Sequence, residues 1–306
     1  MLQDSQYNIE GEIIMKICVP SLGRALTSTT LKRLKDQGLL KDTYIFVYDF
    51  DADSYKAQYS EATIVTVGSV KNLPMKRNKI LEYGIENGWK TLLMIDDDIQ
   101  SILLKSDDNR MKYTHDIALM NRLFEDIMEQ IDYDFTVLAP RFNFILTDPL
   151  KPTKPLLMPY SQFSSVMYFN LEKLKDVRFD NVLLEDMDLY IKLNILGHKC
   201  YKTRHIQVAN RLTQSGGLQD YTKVKERFSI GMQQMYDKYL GSEYFIQPTV
   251  AGLANFKGPR FKKYIKENYP KSYIDKKDIP SIINKWEDVD LSEYFPKKRE
   301  KKEKES

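Results

Sequence analysis

The sequence contains few cysteine, histidine and tryptophan residues. Among its 306 residues, two are cysteine, three are histidine and two are tryptophan. Cys18 and Cys200 lie in separate strand-like runs, and their spacing fits neither a metal site nor a disulfide framework. A small disulfide-stabilised secreted domain is therefore excluded, and we expect a reduced, cytosolic chain.

Long hydrophobic runs are also missing. The most apolar run, residues 91–95, has the length of a buried strand, whereas a bilayer span needs roughly 20 residues. The N-terminal segment carries Asp4 and Glu10 without an apolar core, so we expect no secretory signal and no membrane partner. No Gly-x-x-x-x-Gly-Lys-Ser/Thr run occurs in the sequence, which argues against a P-loop phosphotransferase.

The body of the chain lacks an excess of either charge. The 46 basic and 43 acidic residues give a net charge of +3, and residues 297–306 account for all of it. Because residues 1–296 sum to zero, any contact with a polyanion must come from a local patch. The composition is that of a globular protein, and we expect disorder only at residues 1–12 and 296–306.

Segments with strand-like and helix-like periodicity alternate along the chain. Strands are predicted over residues 13–19, 43–48, 64–67, 90–95 and 199–208, with further short strands between 135 and 170. Helices are predicted over residues 27–37, 72–86, 116–131, 184–196, 221–239, 259–268 and 278–284. This alternation predicts an α/β fold with a central sheet flanked by helices. Ligands in such folds bind beyond the carboxyl ends of the strands, here residues 20–24, 49–53 and 96–98.

Three consecutive carboxylates follow the most hydrophobic predicted strand. Asp96, Asp97 and Asp98 come directly after residues 92–95. Like charges so close together raise one another's pKa unless a cation lies between them. Mg²⁺ and Mn²⁺ prefer such oxygen ligands, so the triplet predicts a divalent-metal site. The alternative is a solvated acidic turn.

Four segments, in this order along the chain, resemble those of glycosyltransferases with the GT-A fold. They are PSLGR at residues 20–24, KNLPMKRN at 71–78, IDDD at 95–98 and LEDMDL at 184–189, and the resemblance covers about residues 13–210. The first, third and fourth look most like those of phage-type TET-associated glycosyltransferases. This likeness implies a GT-A-like (Rossmann-like), mostly parallel central sheet flanked by helices, with a C-terminal helical extension.

The resemblance also implies a division of the chain. A glycosyltransferase domain would span residues 13–240, with a nucleotide-sugar half at 13–110 and an acceptor half at 111–240. The helical extension would span residues 241–295.

The metal and its ligands follow from the same resemblance. It implies that Asp98 binds Mn²⁺ or Mg²⁺ together with Asp96, and that Asp96 also faces the ribose or the sugar of a UDP-sugar donor. His205 would supply a third ligand, although a lone histidine in a strand is more often structural. We expect His115 and His198 at the surface.

Small and basic residues near the predicted sheet edge suit an anionic donor. Gly23 permits a close backbone approach and Arg24 offers a fork of donors for a diphosphate, although the segment also fits an ordinary turn. A helix start with Lys71, Lys76, Arg77 and Lys79 is basic, which fits either an anionic donor or a solvated face. The donor-binding residues implied are Pro20, Ser21, Gly23, Arg24, Asp49, Arg77, Asn78, Asp96 and Asp97. Arg211 and Ser215 would contact the diphosphate from a flexible loop, which fits an ordinary glycine-rich connector equally well.

Acidic residues begin the helix predicted over residues 184–196. Glu185, Asp186 and Asp188 fit simple stabilisation of a helix N-terminus by the macrodipole. The resemblance implies instead that Asp186 is the catalytic base, which takes the proton of the acceptor hydroxyl. Glu185 and Asp188 are close alternatives, and in a retaining reaction this acid would have a positioning role.

The resemblance implies that the acceptor is a hydroxymethylated pyrimidine in DNA. Residues 257–277 hold eight basic side chains interleaved with aromatic ones, which suits phosphate contact and base stacking as well as a solvated helix face. The aromatic residues are Phe256, Phe261, Tyr264, Tyr269 and Tyr273. We expect DNA binding to weaken steeply with salt. Transfer to a glycan, a protein or a small molecule is the alternative, and the intact acidic motifs argue against a non-catalytic nucleic-acid-binding protein.

Overall fold

The computed structural model describes residues 16–69, 72–105, 111–140, 157–160, 165–181, 183–210, 224–249 and 254–280. The strands are β1 (Lys16–Pro20), β2 (Thr43–Val47), β3 (Thr63–Thr66), β4 (Thr91–Ile95), β5 (Ile99–Lys105), β6 (Met111–Thr114), β7 (Phe135–Pro140), β8 (Leu157–Met158), β9 (Val166–Asn170), β10 (Cys200–Asn210), β11 (Ile246–Pro248) and β12 (Ala254–Phe256). The α-helices are α1 (Thr29–Asp36), α2 (Ala52–Gln58), α3 (Leu73–Glu86), α4 (Ile117–Glu129), α5 (Glu185–Ile195), α6 (Val224–Lys238) and α7 (Gly258–Asn268).

The central sheet has the strand order β3-β2-β1-β4-β9-β7-β10-β5-β6, and β8 pairs with β10 beside this path. Strands β3, β2, β1 and β4 are parallel, as are β7 and β10. Strand β9 runs antiparallel to both of its neighbours, and β5 and β6 form an antiparallel pair next to β10. The predicted α/β fold is confirmed, and antiparallel pairs lie mainly in its second half.

Side chains that alternate along the strands form a hydrophobic core on each face of the sheet. One core contains Ile17 and Val19 together with apolar residues of α1, α2 and α4. The other contains Cys18 and Cys200 together with apolar residues of α3, α5, α6 and α7. Both cysteines are free and buried in strands, as the sequence predicted. The molecule is therefore a sheet between two helical layers.

Two helices begin at the carboxyl edge of the parallel strands, and a side chain caps the first turn of each. The Ser28 hydroxyl accepts a hydrogen bond from Leu31 N at 3.0 Å at the start of α1. The Asn72 side chain accepts from Met75 N at 3.0 Å at the start of α3, with Pro74 in the first turn. Such caps satisfy backbone donors that the helix itself leaves unpaired. They fix the first turn of α3 beside the residues that follow β1 and β4.

Several elements were not predicted. They are helix α2, the β5–β6 hairpin and the small antiparallel pair of β11 and β12. Residues 276–278 form a short 3-10 helix, and most of the helix predicted over 278–284 lies outside the described residues, as do both ends predicted to be disordered. Within the part of the chain that the structure describes, no helix has the length and apolarity to cross a membrane.

Candidate active site

Asp97 holds together the turn that follows β1. Ser21 Oγ donates a hydrogen bond to the Asp97 carboxylate, and Arg24 Nη1 donates to it at 2.5 Å. The Tyr55 hydroxyl lies 2.6 Å from Ser21 Oγ and accepts from Arg24 N at 2.9 Å. Asp97 is 5% exposed. The middle acid of the triplet therefore fixes the Ser21–Arg24 turn from within the protein.

Asp98 also lies close to the guanidinium of Arg24. Arg24 Nη1 is 3.5 Å from Asp98 Oδ2, and Asn210 Nδ2 donates to Asp98 Oδ1 at 2.7 Å. The amide of Asn210 is oriented in turn by Ser165 Oγ, which donates to Asn210 Oδ1 at 2.6 Å. Burial, followed by repulsion from Asp97, raises the pKa of Asp98. Its carboxylate is thus held in one orientation, with a charge that a cation would stabilise.

Arg77 connects the acidic triplet to helix α5. Its Nη2 is 3.2 Å from Asp96 Oδ1, and its Nη1 is 2.9 Å from Glu185 Oε1. Burial raises the pKa of Asp96 to about 7; Arg77 opposes this shift, and Asp98 adds to it. Within the described residues, the buried Nε of Arg77 has no hydrogen-bond partner. One guanidinium thus links carboxylates from both halves of the predicted domain.

Asp186 follows Glu185 in the first turn of α5. Its Oδ1 accepts from Met187 N at 2.9 Å. Burial and then repulsion from Glu185 raise its pKa to about 7, against the opposing effect of Arg77. The preceding residue, Leu184, has a φ of +56°, which is unusual for a residue other than glycine. Gly231 of α6 lies against this turn, where a Cβ atom would come within 3.0 Å of Leu184 Cγ.

The family model that matches the chain is that of the TET-associated glycosyltransferases, over residues 15–217. The chain belongs to this family. It is therefore a glycosyltransferase, and together with its central sheet this membership confirms the GT-A-like fold that the motifs implied. No curated protein sequence matches it significantly.

Solved structures align with this glycosyltransferase at low identity. They are mannose-1-phosphate geranyltransferase from Thermus thermophilus (10% identity, TM-score 0.35, 64% of this chain and 74% of that chain), A197 from STIV (12%, 0.35, 65% and 86%), and GalNAc-T7 with UDP, GalNAc and Mn²⁺ (10%, 0.43, 85% and 49%). Identities and TM-scores this low do not indicate that this chain shares the activity of any of these proteins.

The residues present suit a divalent metal held in part by its substrate. Asp96 and Asp98 offer carboxylate oxygens whose charge burial disfavours, and Mg²⁺ is commonly held by one or two carboxylates together with substrate phosphates. Among the residues that the structure describes, no group of three acidic, histidine or cysteine side chains forms a complete metal site. The side chain of His205, in β10, is outside the described part, as are Arg211 and Ser215.

Several predicted donor-site residues have partners within the protein. Asn78 donates to Phe179 O at 2.9 Å and accepts from Phe179 N at 2.7 Å, so its amide joins α3 to the segment before α5. Asp49 accepts from Gly68 N and Ser69 Oγ, both at 3.2 Å. Gly23, with a φ of +63°, donates from its backbone to Asp51 Oδ2 at 2.6 Å. These contacts shape the edge where a donor would bind.

Lys76 differs from its predicted place on a basic helix face. It is 2% exposed, donates to Ser21 O, and lies 3.9 Å from the ring centroid of Tyr48. Burial lowers its pKa to about 7. Lys76 therefore belongs to the candidate site and not to a solvated face, whereas Asn210, Ser165 and Tyr55 are residues of this site that were not predicted. Asn210 had one signal, because it ends a strand at the edge where ligands bind.

The other two histidines and Asp188 lie away from the acidic cluster, which consists of Asp96, Asp97, Asp98, Glu185 and Asp186. His115 is exposed, and His198 Nδ1 is 2.7 Å from Asp134 Oδ2. Asp188 is fully buried, and its carboxylate binds Lys238 Nζ and the Tyr239 hydroxyl at 2.8 Å. Asp188 thus joins α5 to the end of α6, a placement that favours Glu185 and Asp186 for the chemistry.

Replacing Asp188 by alanine should destabilise the protein and leave the acidic cluster intact. Removal of one partner from a buried ion pair usually costs about 3–5 kcal/mol, and because Lys238 is partly exposed we expect about 2–3 kcal/mol. Urea denaturation would measure the free energy of unfolding. Asp180→Asn is the matched control, since this half-exposed carboxylate binds the same lysine at 3.2 Å. Equal losses in the two variants would contradict the role given to Asp188.

Proposed function

We propose that this glycosyltransferase is metal-dependent and moves a sugar from a UDP-sugar to a hydroxymethylated pyrimidine in DNA. One observation carries the proposal: acidic groups from two separate segments converge on the buried Arg24 and Arg77 at the carboxyl edge of β1 and β4. They are Asp96, Asp97 and Asp98 after β4, and Glu185 and Asp186 in α5. Burial and repulsion between neighbouring acids raise the pKa values of Asp96, Asp98 and Asp186, and carboxylates with raised pKa values at such an edge are typical of a catalytic site.

Asp98, together with Asp96, would hold the metal and the diphosphate of the donor. When bound, a divalent ion supplies positive charge that stabilises the departing diphosphate. Arg24 lies against both Asp97 and Asp98, so its guanidinium adds fixed positive charge at the same place. The contact from Asn210 keeps the Asp98 carboxylate in one orientation before the donor arrives.

Asp186 is the group we assign to the acceptor. As the hydroxymethyl oxygen forms a bond to the anomeric carbon of the sugar, the bond from that carbon to the diphosphate breaks and its electron pair leaves with UDP. The proton of the hydroxyl passes to the Asp186 carboxylate. A pKa of about 7 suits this step, because a base near the operating pH combines a sufficient ionised fraction with adequate basicity. Because a paired base is enclosed in duplex DNA, the target nucleotide would be flipped out of the stack or reached in the major groove.

The experiment that tests the proposal compares acceptors. UDP release is measured with Mn²⁺ and a UDP-sugar in the presence of duplexes that contain hydroxymethylcytosine or cytosine at the same positions. We expect Mn²⁺-dependent release stimulated only by the modified duplex, with a gain of one sugar mass on the DNA. Equal release with both duplexes and no change in DNA mass would contradict a DNA acceptor, and activity retained in EDTA would contradict metal dependence.

Replacing Asn210 by alanine should weaken Mn²⁺ binding about 10- to 100-fold, because partners that orient a metal ligand commonly contribute this much. Electron paramagnetic resonance of Mn²⁺ with UDP present measures the affinity directly. Ser165→Ala should have a smaller effect, since it only orients the amide. Asn87→Ala is the control, because Asn87 is exposed at the end of α3 and its side chain donates to Tyr83 O at 2.8 Å. Unchanged affinity in Asn210→Ala would refute the assignment of Asn210.

A further inference from the structure

Positive charge is concentrated in one short part of the chain. Residues 254–280 contain eight basic and three acidic side chains, whereas residues 1–240 contain 31 basic and 32 acidic ones. The excess therefore belongs to α7 and the segments on either side of it. A protein that is close to neutral elsewhere presents here a local surface that attracts polyanions.

The basic side chains of α7 are arranged over two tyrosine rings. Arg260 Cζ and Lys263 Nζ lie 5.2 and 6.0 Å from the ring centroid of Tyr244. Lys262 Nζ and Lys266 Nζ lie 5.6 and 5.5 Å from that of Tyr273. Contact with a ring face attracts a cation and limits its motion. We call Arg260, Lys262, Lys263 and Lys266 the basic α7 surface.

The aromatic residues of this region are mostly buried and are not placed for base stacking, one of the two alternatives that the sequence pattern left open. Phe256, Phe261 and Tyr264 are buried in the core, where Phe261 packs against Phe245, Phe256 and Tyr190. Their rings are therefore inaccessible to bases, and Tyr273 is covered by two lysines. Tyr244 is 45% exposed, but Arg260 and Lys263 lie over its ring. A ligand therefore meets mainly ammonium and guanidinium groups, which recognise phosphate without reading sequence.

We propose that the basic α7 surface binds the phosphate backbone of DNA on the flank of the target nucleotide. This inference rests on the proposed DNA acceptor. Helix α7 packs on α5, whose first turn carries Glu185 and Asp186. Tyr190 lies five residues after Glu185, about 7.5 Å along the helix axis, and its ring centroid is 6.1 Å from that of Phe261. The buried side of α7 therefore contacts α5 within about two helical turns of Glu185, and the basic side chains lie on the exposed side of α7.

The test removes the four charges together in the variant Arg260→Gln, Lys262→Gln, Lys263→Gln, Lys266→Gln. Binding of an unmodified 20-base-pair duplex in EDTA is measured by fluorescence anisotropy over a range of salt concentrations. Each lost phosphate contact reduces the slope of log K against log salt by about 0.9. We expect the slope to fall by about 2–4 and the affinity at low salt to fall at least about tenfold.

Two control variants test whether a loss of binding comes from the basic α7 surface itself and not from the lower net charge or from misfolding. The variant Lys32→Gln, Lys41→Gln, Lys56→Gln, Lys175→Gln loses the same charge from exposed positions elsewhere and should keep the wild-type slope. The charge-conserving variant Arg260→Lys, Lys262→Arg, Lys263→Arg, Lys266→Arg should also keep it. Equal losses in the first control, or an unchanged slope in the Gln variant, would overturn the inference.

Sugar transfer to a nucleoside and to a 20-base-pair duplex distinguishes failure of this inference from failure of the proposed function. With hydroxymethylated duplexes of 20 base pairs, we expect the Gln variant to show a raised KM and an unchanged kcat. With a hydroxymethylated nucleoside it should match the wild type. Equal KM values on the long duplex would refute the docking surface alone. Absence of transfer to any DNA by the wild type would refute the proposed function, while leaving the binding result to be judged separately.

Discussion

Replacing Asp98 by asparagine should reduce sugar transfer about 10²- to 10³-fold, a loss of about 3–4 kcal/mol of transition-state stabilisation. Asparagine keeps the shape of the side chain and can retain a contact with Asn210, but it removes the negative charge that would bind a divalent ion. Initial rates at saturating UDP-sugar and Mn²⁺ measure the effect, and circular dichroism establishes that the variant folds. Folding should be preserved or improved, because burial already disfavours the charge of this carboxylate.

The control for Asp98→Asn is Asp36→Asn. Asp36 is exposed and is the last residue of α1, a helix that begins at the carboxyl edge of the sheet and runs away from it. Removing its charge should leave the rate within about twofold, since substitutions at exposed positions away from a site change stability by no more than about 0.5 kcal/mol. Asp98→Asn with wild-type rate and wild-type Mn²⁺ dependence would contradict the metal assignment.

Replacing Asp186 by asparagine should reduce kcat/KM about 10²- to 10⁴-fold, the usual contribution of a general base. In the wild type, kcat/KM should rise with pH and level off above an inflection near pH 7. The sign follows from the raised pKa, since the carboxyl group is protonated and inactive as a base below that pH. The residual activity of Asp186→Asn should lack this inflection. Rates measured from pH 5.5 to 9 at constant ionic strength give both profiles.

Two further variants allow the pH profile to identify which acidic residue is the base. Glu185→Gln should move the inflection to lower pH, because repulsion from Glu185 contributes to the raised pKa of Asp186. Asp188→Asn should keep the inflection where it is, because its carboxylate faces Lys238 and Tyr239. If Asp186→Asn retains the inflection and Glu185→Gln loses it, the base is Glu185.

The position of the site could be predicted from the sequence because it depends on local patterns. Alternating strands and helices fix where parallel strands end, and the Asp96–Asp98 triplet follows a strand whose last four residues are apolar and buried. The caps at Ser28 and Asn72 are short-range chemistry that the sequence shows directly. The edge of the sheet and the first turn of α3 were therefore predictable.

The role of each side chain at this edge depends on the direction in which it points, and residue spacing alone does not determine that direction. Asp186 and Asp188 are two residues apart in one helix, so they point to different faces; one lies near Arg77 and the other near Lys238. Asn78 and Lys76 turn inward because of the Phe179 backbone and the Tyr48 ring, which are distant in sequence. Strand β5 was missed because it pairs with β10, a contact between segments that are remote in sequence.

The contact between Gly231 and Leu184 sets a limit on how this enzyme can be altered. Any side chain at position 231 would meet Leu183 and Leu184 at 3.0 Å, and Leu184 already has an uncommon backbone conformation. The packing of helix α6 against this turn therefore fixes the position of the first turn of α5, which carries Glu185 and Asp186. Engineering of this enzyme should therefore leave Gly231 unchanged.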